Sequence, residues 1–324
     1  MGMYDVIKNF NEQFEYEPKI ENSEGLGTYK KFIVVGMGGS HLAGDLLLLW
    51  NPCLDIVAHM DYGLPVMSDA DLKKSLIIIS SYSGNTEETI SAFEEAREKG
   101  LHVIVISVGG KLIELAKERG VPYIQMPNTG IQPRSALGFG FRAMLKAMGE
   151  AQALRELKEL TSSLDPGSYE ERGKDIAKKL SGKVPVIYSS RANQAIAYNW
   201  KIKFNETGKI PAFYNVFPEL NHNEMTGFDV TDATKKLSEN FYFFILRDRE
   251  DDPRILQRME ILTRLYKKRG LPADIIDIEG QGRFHKMFSS LVLADWIAYY
   301  VAEQYGLESE QVPMVEEFKK LIAE

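Results

Sequence analysis

Short apolar runs alternate with amphipathic stretches along nearly the whole chain, and this alternation constrains the fold more than any other feature. KFIVVGMGG, LDIVAHM, LIIISS, HVIVISV and PYIQMP read as strands in the first half. Between them, TEETISAFEEAREKG and KLIELAKERG carry helical apolar spacing and close on glycine. HLAGDLLLLW opens another helix, and DADLKKS separates two of the strands. A strand with one wet face would alternate polar and apolar residues. These strands do not, so both of their faces must be covered. Strands of that kind joined by helices predict an α/β fold with a parallel sheet, whose ligands bind at the carboxyl ends of the strands.

A helix is expected over residues 136–164, followed by a linker, DPGSYEERG. The second half repeats the plan. VPVIYSS reads as a strand, residues 193–204 as a helix, FYFFILRD as a central strand and DPRILQRMEILTRLYKKRG as an amphipathic helix. ADIIDIE is a further strand, residues 285–305 a long helix and PMVEEFKKLIAE a closing one. A length of 324 residues with 44% hydrophobic content supplies two cores. The expected domains are 1–155 and 156–324, and their shared plan suggests duplication.

A net charge of −7 argues against nucleic acid as the main partner. An anionic ligand therefore needs a local site. Cys53 is the only cysteine, which excludes internal disulfides and Cys-cluster metal sites and fits a reducing, cytoplasmic compartment. The N-terminal MGMYDVIKNFNEQFEYEP has neither the apolar core nor the basic region of a signal peptide. Val6 breaks an acylation signal at Gly2. The longest apolar runs are strand-length, so no membrane span is expected. Without HExxH, a His-rich tract or a calcium loop, no metal or cofactor is expected either.

The chemistry begins at LIIISSYSGNTEET, where a strand runs into Ser81, Ser83 and Thr86 around Gly84 and then into a helix over residues 87–99. N-terminal amides, the helix dipole and small hydroxyls together suit a phosphate. The Gly-Lys-Ser/Thr ending of a nucleotide P-loop is missing. Ser83 or Thr86 is also expected to cap the helix, with Glu87 or Glu88 favouring its first turn. Four hydroxyls in six residues exceed what a cap needs, which favours a phosphate cradle over capping alone.

Gly36-Met37-Gly38-Gly39-Ser40 stands where a dinucleotide fingerprint would, and Asp61 lies at about the distance of a ribose-binding acid. Yet His41 occupies the third glycine position. Two adjacent glycines instead offer bare amides to an oxygen, or simply a tight turn. Arg134, beside a helix start in PRSALG, can donate to an anion or a developing oxyanion, or lie on the surface. Glu206 ends a helix, where the dipole disfavours a carboxylate. That cost points to a role, or to a salt bridge with Lys203 or Lys209. His222 lies among amides and acids in ELNHNE, whereas His59 and His102 read as strand and helix-end residues. With an ordinary pKa of about 6.5, His222 can move a proton at a sugar oxygen, and a hydrogen-bonded structural histidine fits equally.

GMGGS, SYSGNTEET, PRSALGF, FNETGKIPA and ELNHNEMTGF, in this order and spacing, resemble the archaeal and bacterial bifunctional phosphoglucose/phosphomannose isomerases. These are two-domain members of the sugar isomerase (SIS) family, and the resemblance covers nearly the whole chain. It implies two SIS-type domains, each a parallel sheet flanked by helices, and an aldose–ketose isomerase acting on glucose, mannose and fructose 6-phosphates without a cofactor. It also implies that Ser81, Ser83 and Thr86 hold the phosphate, with Ser40 close to the substrate. Gly38, Gly39 and Arg134 would stabilise a cis-enediolate, and Glu206 would carry the proton between C1 and C2. His222 would open the sugar ring from the neighbouring subunit of a homodimer. VEEFK is similar to the family's closing Ile-x-x-Leu-Lys, which makes Lys319 the second ring-opening residue. Ser189-Ser190 departs from the Gly-Ser found after the corresponding strand in many SIS domains. Neither the helix-turn-helix of a sugar-phosphate regulator nor the glutaminase segment of a glucosamine-phosphate synthase is expected.

Overall fold

The computed structural model describes residues 2–322. They form two compact units, one of Asn9–Leu164 and one of residues 165–322 together with Gly2–Lys8. The first holds strands β1 (Lys31–Gly36), β2 (Asp55–His59), β3 (Ser75–Ser80), β4 (His102–Ser107) and β5 (Tyr123–Gln125). Their order is β2-β1-β3-β4-β5, with every pairing parallel. β3 is buried along its whole length, because helices cover both faces of the sheet. Ile77, Ile79, Val103 and Val105 pack in one layer with Leu72 and Phe93. Each such side chain contributes about 1.5–3 kcal/mol by leaving water.

The second unit holds β6 (Val184–Ser190), β7 (Phe213–Phe217), β8 (Phe241–Arg247) and β9 (Ala273–Asp277). The order is β7-β6-β8-β9, again all parallel. Its core is aromatic: Tyr188, Phe217, Phe243 and Tyr266 cluster on one face, and Phe204 stacks on Phe244 with ring centroids 6.2 Å apart. The expected pair of parallel sheets flanked by helices is present. In each sheet the chain steps from its first strand to one side and then crosses to the other. The loops after β1 and β3, and those after β6 and β8, therefore diverge at the strands' carboxyl ends. Open α/β sheets bind ligands at such reversal points.

Some expectations differ from the structure. The helix expected over residues 136–164 is three helices, Leu137–Met148, Ala151–Lys158 and Leu160–Ser163. Gly149 ends the first of them at φ +80°, a left-handed conformation that only glycine adopts without strain. DPGSYEERG is no linker. Asp165 accepts from Gly167 N to start a 3-10 turn, Pro166–Tyr169, that leads directly into the helix Glu170–Lys178. The units divide after Leu164, and residue 155 lies within the helix Ala151–Lys158. β7 and the N-terminal helix Met3–Lys8 had no sequence expectation, although Met3, Val6 and Ile7 are buried at helical spacing. Among the described residues, no helix is long and apolar enough to cross a membrane.

Candidate active site

In the first unit β3 ends at Ser80, and the chain turns at once through residues 81–86 into the helix Glu87–Glu98. Gly84 permits the turn. Its φ is +74°, and a Cβ there would stand 1.8 Å from the Gly109 carbonyl oxygen. Ser81 Oγ lies 2.7 Å from Thr86 Oγ1 and accepts from Gly84 N at 3.1 Å. Ser83 Oγ accepts from Asn85 N at 3.3 Å. The expected cap is not formed. Thr86 holds the N-cap position, but its side chain makes no cap bond, being engaged with Ser81, and Ser83 serves the loop. The hydroxyls thus line the turn beside the positive end of a three-turn helix, an arrangement suited to phosphate.

Ser107, the last residue of β4, braces this turn by donating to the carbonyl oxygens of Tyr82 at 3.2 Å and Gly109 at 2.9 Å. Sequence reasoning passed over it, although a polar residue closing a buried apolar strand was a signal. Ser40 Oγ accepts from Tyr82 N at 2.8 Å, which ties the loop after β1 to the loop after β3 across the reversal point.

Gly38, at φ +51°, is the N-cap of the helix Gly39–Trp50. A Cβ on Gly39 would lie 2.5 Å from Pro133 C and 2.7 Å from Arg134 N, so glycine alone lets these backbones touch. Arg134 sits in the 3-10 turn Pro133–Ser135 and is 1% exposed, which disposes of the surface alternative. GMGGS, SYSGNTEET and PRSALG therefore converge within one unit. His41, at the third fingerprint position, is buried with Nε2 3.0 Å from Asp45.

In the second unit Glu206 is the last residue of the helix Gln194–Glu206 and is half-buried. Lys203 does not account for it. That buried ammonium meets both carboxylate oxygens of Asp295, at 2.6 and 2.7 Å. Lys209 Nζ donates to the main-chain carbonyl of Glu206 at 2.6 Å and also to that of Gln311.

β7 leads through Pro218 into the turn Glu219–His222 and the short helix Glu224–Gly227. Glu224 accepts from Tyr188 Oη at 2.5 Å and from Asn215 Nδ2, and burial pushes the Tyr188 phenol far above its ordinary value. Asn223 Nδ2 donates to Glu219 Oε1 at 2.8 Å. These bonds fix the loop, and His222 stands exposed on it. Lys319 lies on the exposed helix Pro313–Ile322, with Nζ 2.8 Å from Glu316 Oε1. The first unit therefore gathers the anion-binding candidates, and the second carries Glu206, His222 and Lys319.

The reversal point of the second sheet is filled by its own charges. Asp248, 1% exposed, accepts from Lys286 Nζ at 2.8 Å and Arg283 Nη1 at 3.3 Å. Ser190 Oγ is taken by Asn193, whose amide also donates to Asp251 at 3.2 Å. Among the described residues, no group of three or more His, Cys, Asp or Glu could hold a metal ion.

Residues 169–322 match the family described as the bacterial phospho-glucose isomerase C-terminal SIS domain. The chain is 34% identical over 326 residues to the bifunctional phosphoglucose/phosphomannose isomerase of Aquifex aeolicus, covering 98% of this chain and 97% of that one. The chain belongs to the bifunctional phosphoglucose/phosphomannose isomerase family. A D-glucosamine-6-phosphate 4-epimerase of Sulfolobus acidocaldarius is also similar, at 32% identity over 229 residues, 69% of this chain and 71% of the epimerase. Among solved structures, the C-terminal domain of glucosamine-fructose-6-phosphate aminotransferase from Francisella tularensis shares the fold. The TM-score is 0.71 at 15% identity, with 95% of this chain and 96% of that one covered. The family and the SIS fold expected from the motifs are both borne out.

Proposed function

We propose that this member of the phosphoglucose/phosphomannose isomerase family interconverts glucose 6-phosphate and mannose 6-phosphate with fructose 6-phosphate. The observation that carries the reading is the convergence of the hydroxyl turn, the glycine pair and buried Arg134 at one reversal point. Ser81, Ser83, Thr86 and Ser40 hold the phosphate. The Glu206 carboxylate takes the C2 proton of the open-chain aldose as the C1 carbonyl oxygen gains negative charge. The amides of Gly38 and Gly39 and the Arg134 guanidinium stabilise the resulting cis-enediolate. A proton passes from the C2 hydroxyl to the C1 oxygen, Glu206 returns its proton to C1, and C2 becomes the ketone. Glucose and mannose differ only at C2, and the enediol has no configuration there, so one intermediate serves both epimers.

Ring opening moves a proton from the C1 hydroxyl to the ring oxygen. In this reading His222 of a second subunit and Lys319 perform it. The working form is then a cytoplasmic homodimer at the hexose-phosphate step shared by glycolysis and gluconeogenesis. Mixing His222→Ala and Glu206→Gln subunits should restore activity in hybrid dimers. No recovery after proven subunit exchange would refute the shared site.

The deciding experiment is incubation with glucose 6-phosphate and mannose 6-phosphate in deuterium oxide. Isomerisation yields fructose 6-phosphate carrying deuterium at C1 and, on reversal, aldose carrying deuterium at C2, and Glu206→Gln should slow both by about 100-fold or more. A purely binding protein would leave C2 protonated. A 4-epimerase would invert C4 and leave C2 untouched. Either outcome sinks the proposal.

A further inference from the structure

We propose that Gln13 is a positioning residue for Arg134. The inference rests on the reading of Arg134 as the cation that meets the enediolate oxygens. Gln13 lies in the 3-10 turn Phe10–Glu15 and is 5% exposed. Its Nε2 donates to the Ser135 carbonyl oxygen at 2.7 Å. Its Oε1 accepts from Gly138 N at 3.0 Å and from Phe139 N at 3.4 Å.

These bonds answer a local deficiency. The helix Leu137–Met148 opens at Ala136, which has no side-chain oxygen to cap the first turn, and no side-chain cap is formed there. A residue more than 120 positions away supplies the missing acceptor. The same amide satisfies the carbonyl of Ser135, the neighbour of Arg134. Among side chains of this length and shape the amide both donates and accepts, whereas glutamate at neutral pH only accepts and methionine does neither usefully.

Two glycines fit the same arrangement. A Cβ on Gly138 would lie 2.7 Å from Gln13 Cβ and 2.9 Å from Oε1, so Gly138 leaves the room that Gln13 occupies. Gly39 abuts Pro133 and Arg134 at the other end of the segment. Arg134 is thus held between a fixed glycine backbone and an amide clamp. The clamp is itself anchored, with Phe10 against Phe14 at 5.6 Å and Tyr16 against Phe139 at 5.7 Å between ring centroids. A donor meeting an enediolate must be held to within a fraction of an ångström, and a shift of about 1 Å can cost about 100-fold in rate.

The test compares Gln13→Met, Gln13→Glu, Gly138→Ala, Arg134→Ala and the Gln13→Met/Arg134→Ala pair in the full-length chain. Gln13→Met keeps length and loses both hydrogen-bonding roles. It should lower kcat about 10- to 100-fold and leave KM for glucose 6-phosphate within about 2-fold. Gln13→Glu keeps the acceptor for the two amides and should fall between it and the unmodified chain. Gly138→Ala, which displaces Gln13 from the opposite side, should reproduce Gln13→Met should the latter fold poorly. In the Arg134→Ala background Gln13→Met should add less than about a 2-fold further loss, because the group it positions is gone.

Hydrogen exchange at the Gly138 and Phe139 amides reads the clamp without reference to turnover, and it should accelerate in Gln13→Met. Unchanged exchange, an unchanged kcat, or losses that multiply in the double variant would each overturn the assignment. An Arg134→Ala variant of full activity alongside accelerated exchange would overturn the enediolate role of Arg134 while locating the fault in the site reading.

Discussion

Lys209 donates its ammonium to the carbonyl oxygen of Glu206, 2.6 Å away, while its own backbone sits at φ +58°. The last carbonyls of a helix have no amide partners, and a cation among them is favoured by the dipole. The same ammonium reaches the carbonyl of Gln311, just before the tail helix that carries Lys319. A left-handed backbone costs a side-chain-bearing residue about 1–2 kcal/mol, which these bonds help to offset. Lys209→Ala keeps that cost and loses the bonds, whereas Lys209→Gly loses both. Lys209→Ala should therefore be less stable than Lys209→Gly by about 1 kcal/mol in urea unfolding. Equal midpoints would show that the backbone stores no strain there.

Lys203 and Asp295 form a buried ion pair one turn before Glu206. Lys203→Met removes the ammonium that meets the buried Asp295 carboxylate and should cost about 3–5 kcal/mol in denaturant unfolding. Replacing both, as Lys203→Met with Asp295→Leu, should recover most of that loss, because no charge remains to be solvated. A single variant of near-native stability would contradict the burial of the pair.

Gly84→Ala places a methyl group within 1.8 Å of a main-chain oxygen at a left-handed φ. The loop can accept it only by moving, which would separate Ser81 and Ser83 from the helix start. Calorimetry should show inorganic phosphate binding lost, with stability reduced by about 2 kcal/mol or more. Retention of phosphate affinity would place the anion elsewhere.

Asp277 accepts from Arg247 Nε at 2.6 Å and Nη2 at 3.0 Å, and this hydrogen bonding holds its carboxyl below the usual value near 3.8. A carboxyl whose pKa is depressed on folding binds fewer protons in the folded state. It stabilises the fold above the unfolded value, and that contribution is lost as pH falls through the lower folded value. Asp277→Asn should therefore destabilise the chain by about 1 kcal/mol at neutral pH, with the difference closing in strong acid. Melting curves collected down the pH scale test this, and a difference that does not depend on pH would refute it.

The layering of the fold was legible because parallel strands buried on both faces must be apolar throughout, so β3 and β4 announce themselves. The break at Gly149 was not, since a left-handed cap looks in sequence like one more small residue in an apolar helix. The run after Asp165 resembled a linker because Asp-Pro-Gly is a turn signal. The face that makes it a helix, Gly173, Ile176 and Ala177, lies further along. In the site, the hydroxyl turn could be read because its parts are consecutive. Gln13 could not, since its partners are separated from it by more than 120 residues. Ser107 and Asp295 act likewise through packing between elements, which local pattern does not carry.

The carboxylate of Asp248, enclosed by Lys286 and Arg283, bears on stoichiometry. A doubled architecture offers two equivalent openings for an anion, yet the second is closed by a charge of the wrong sign with its counter-ions already in place. Each chain should therefore saturate at one sugar phosphate, along a simple hyperbola and without a weaker second phase.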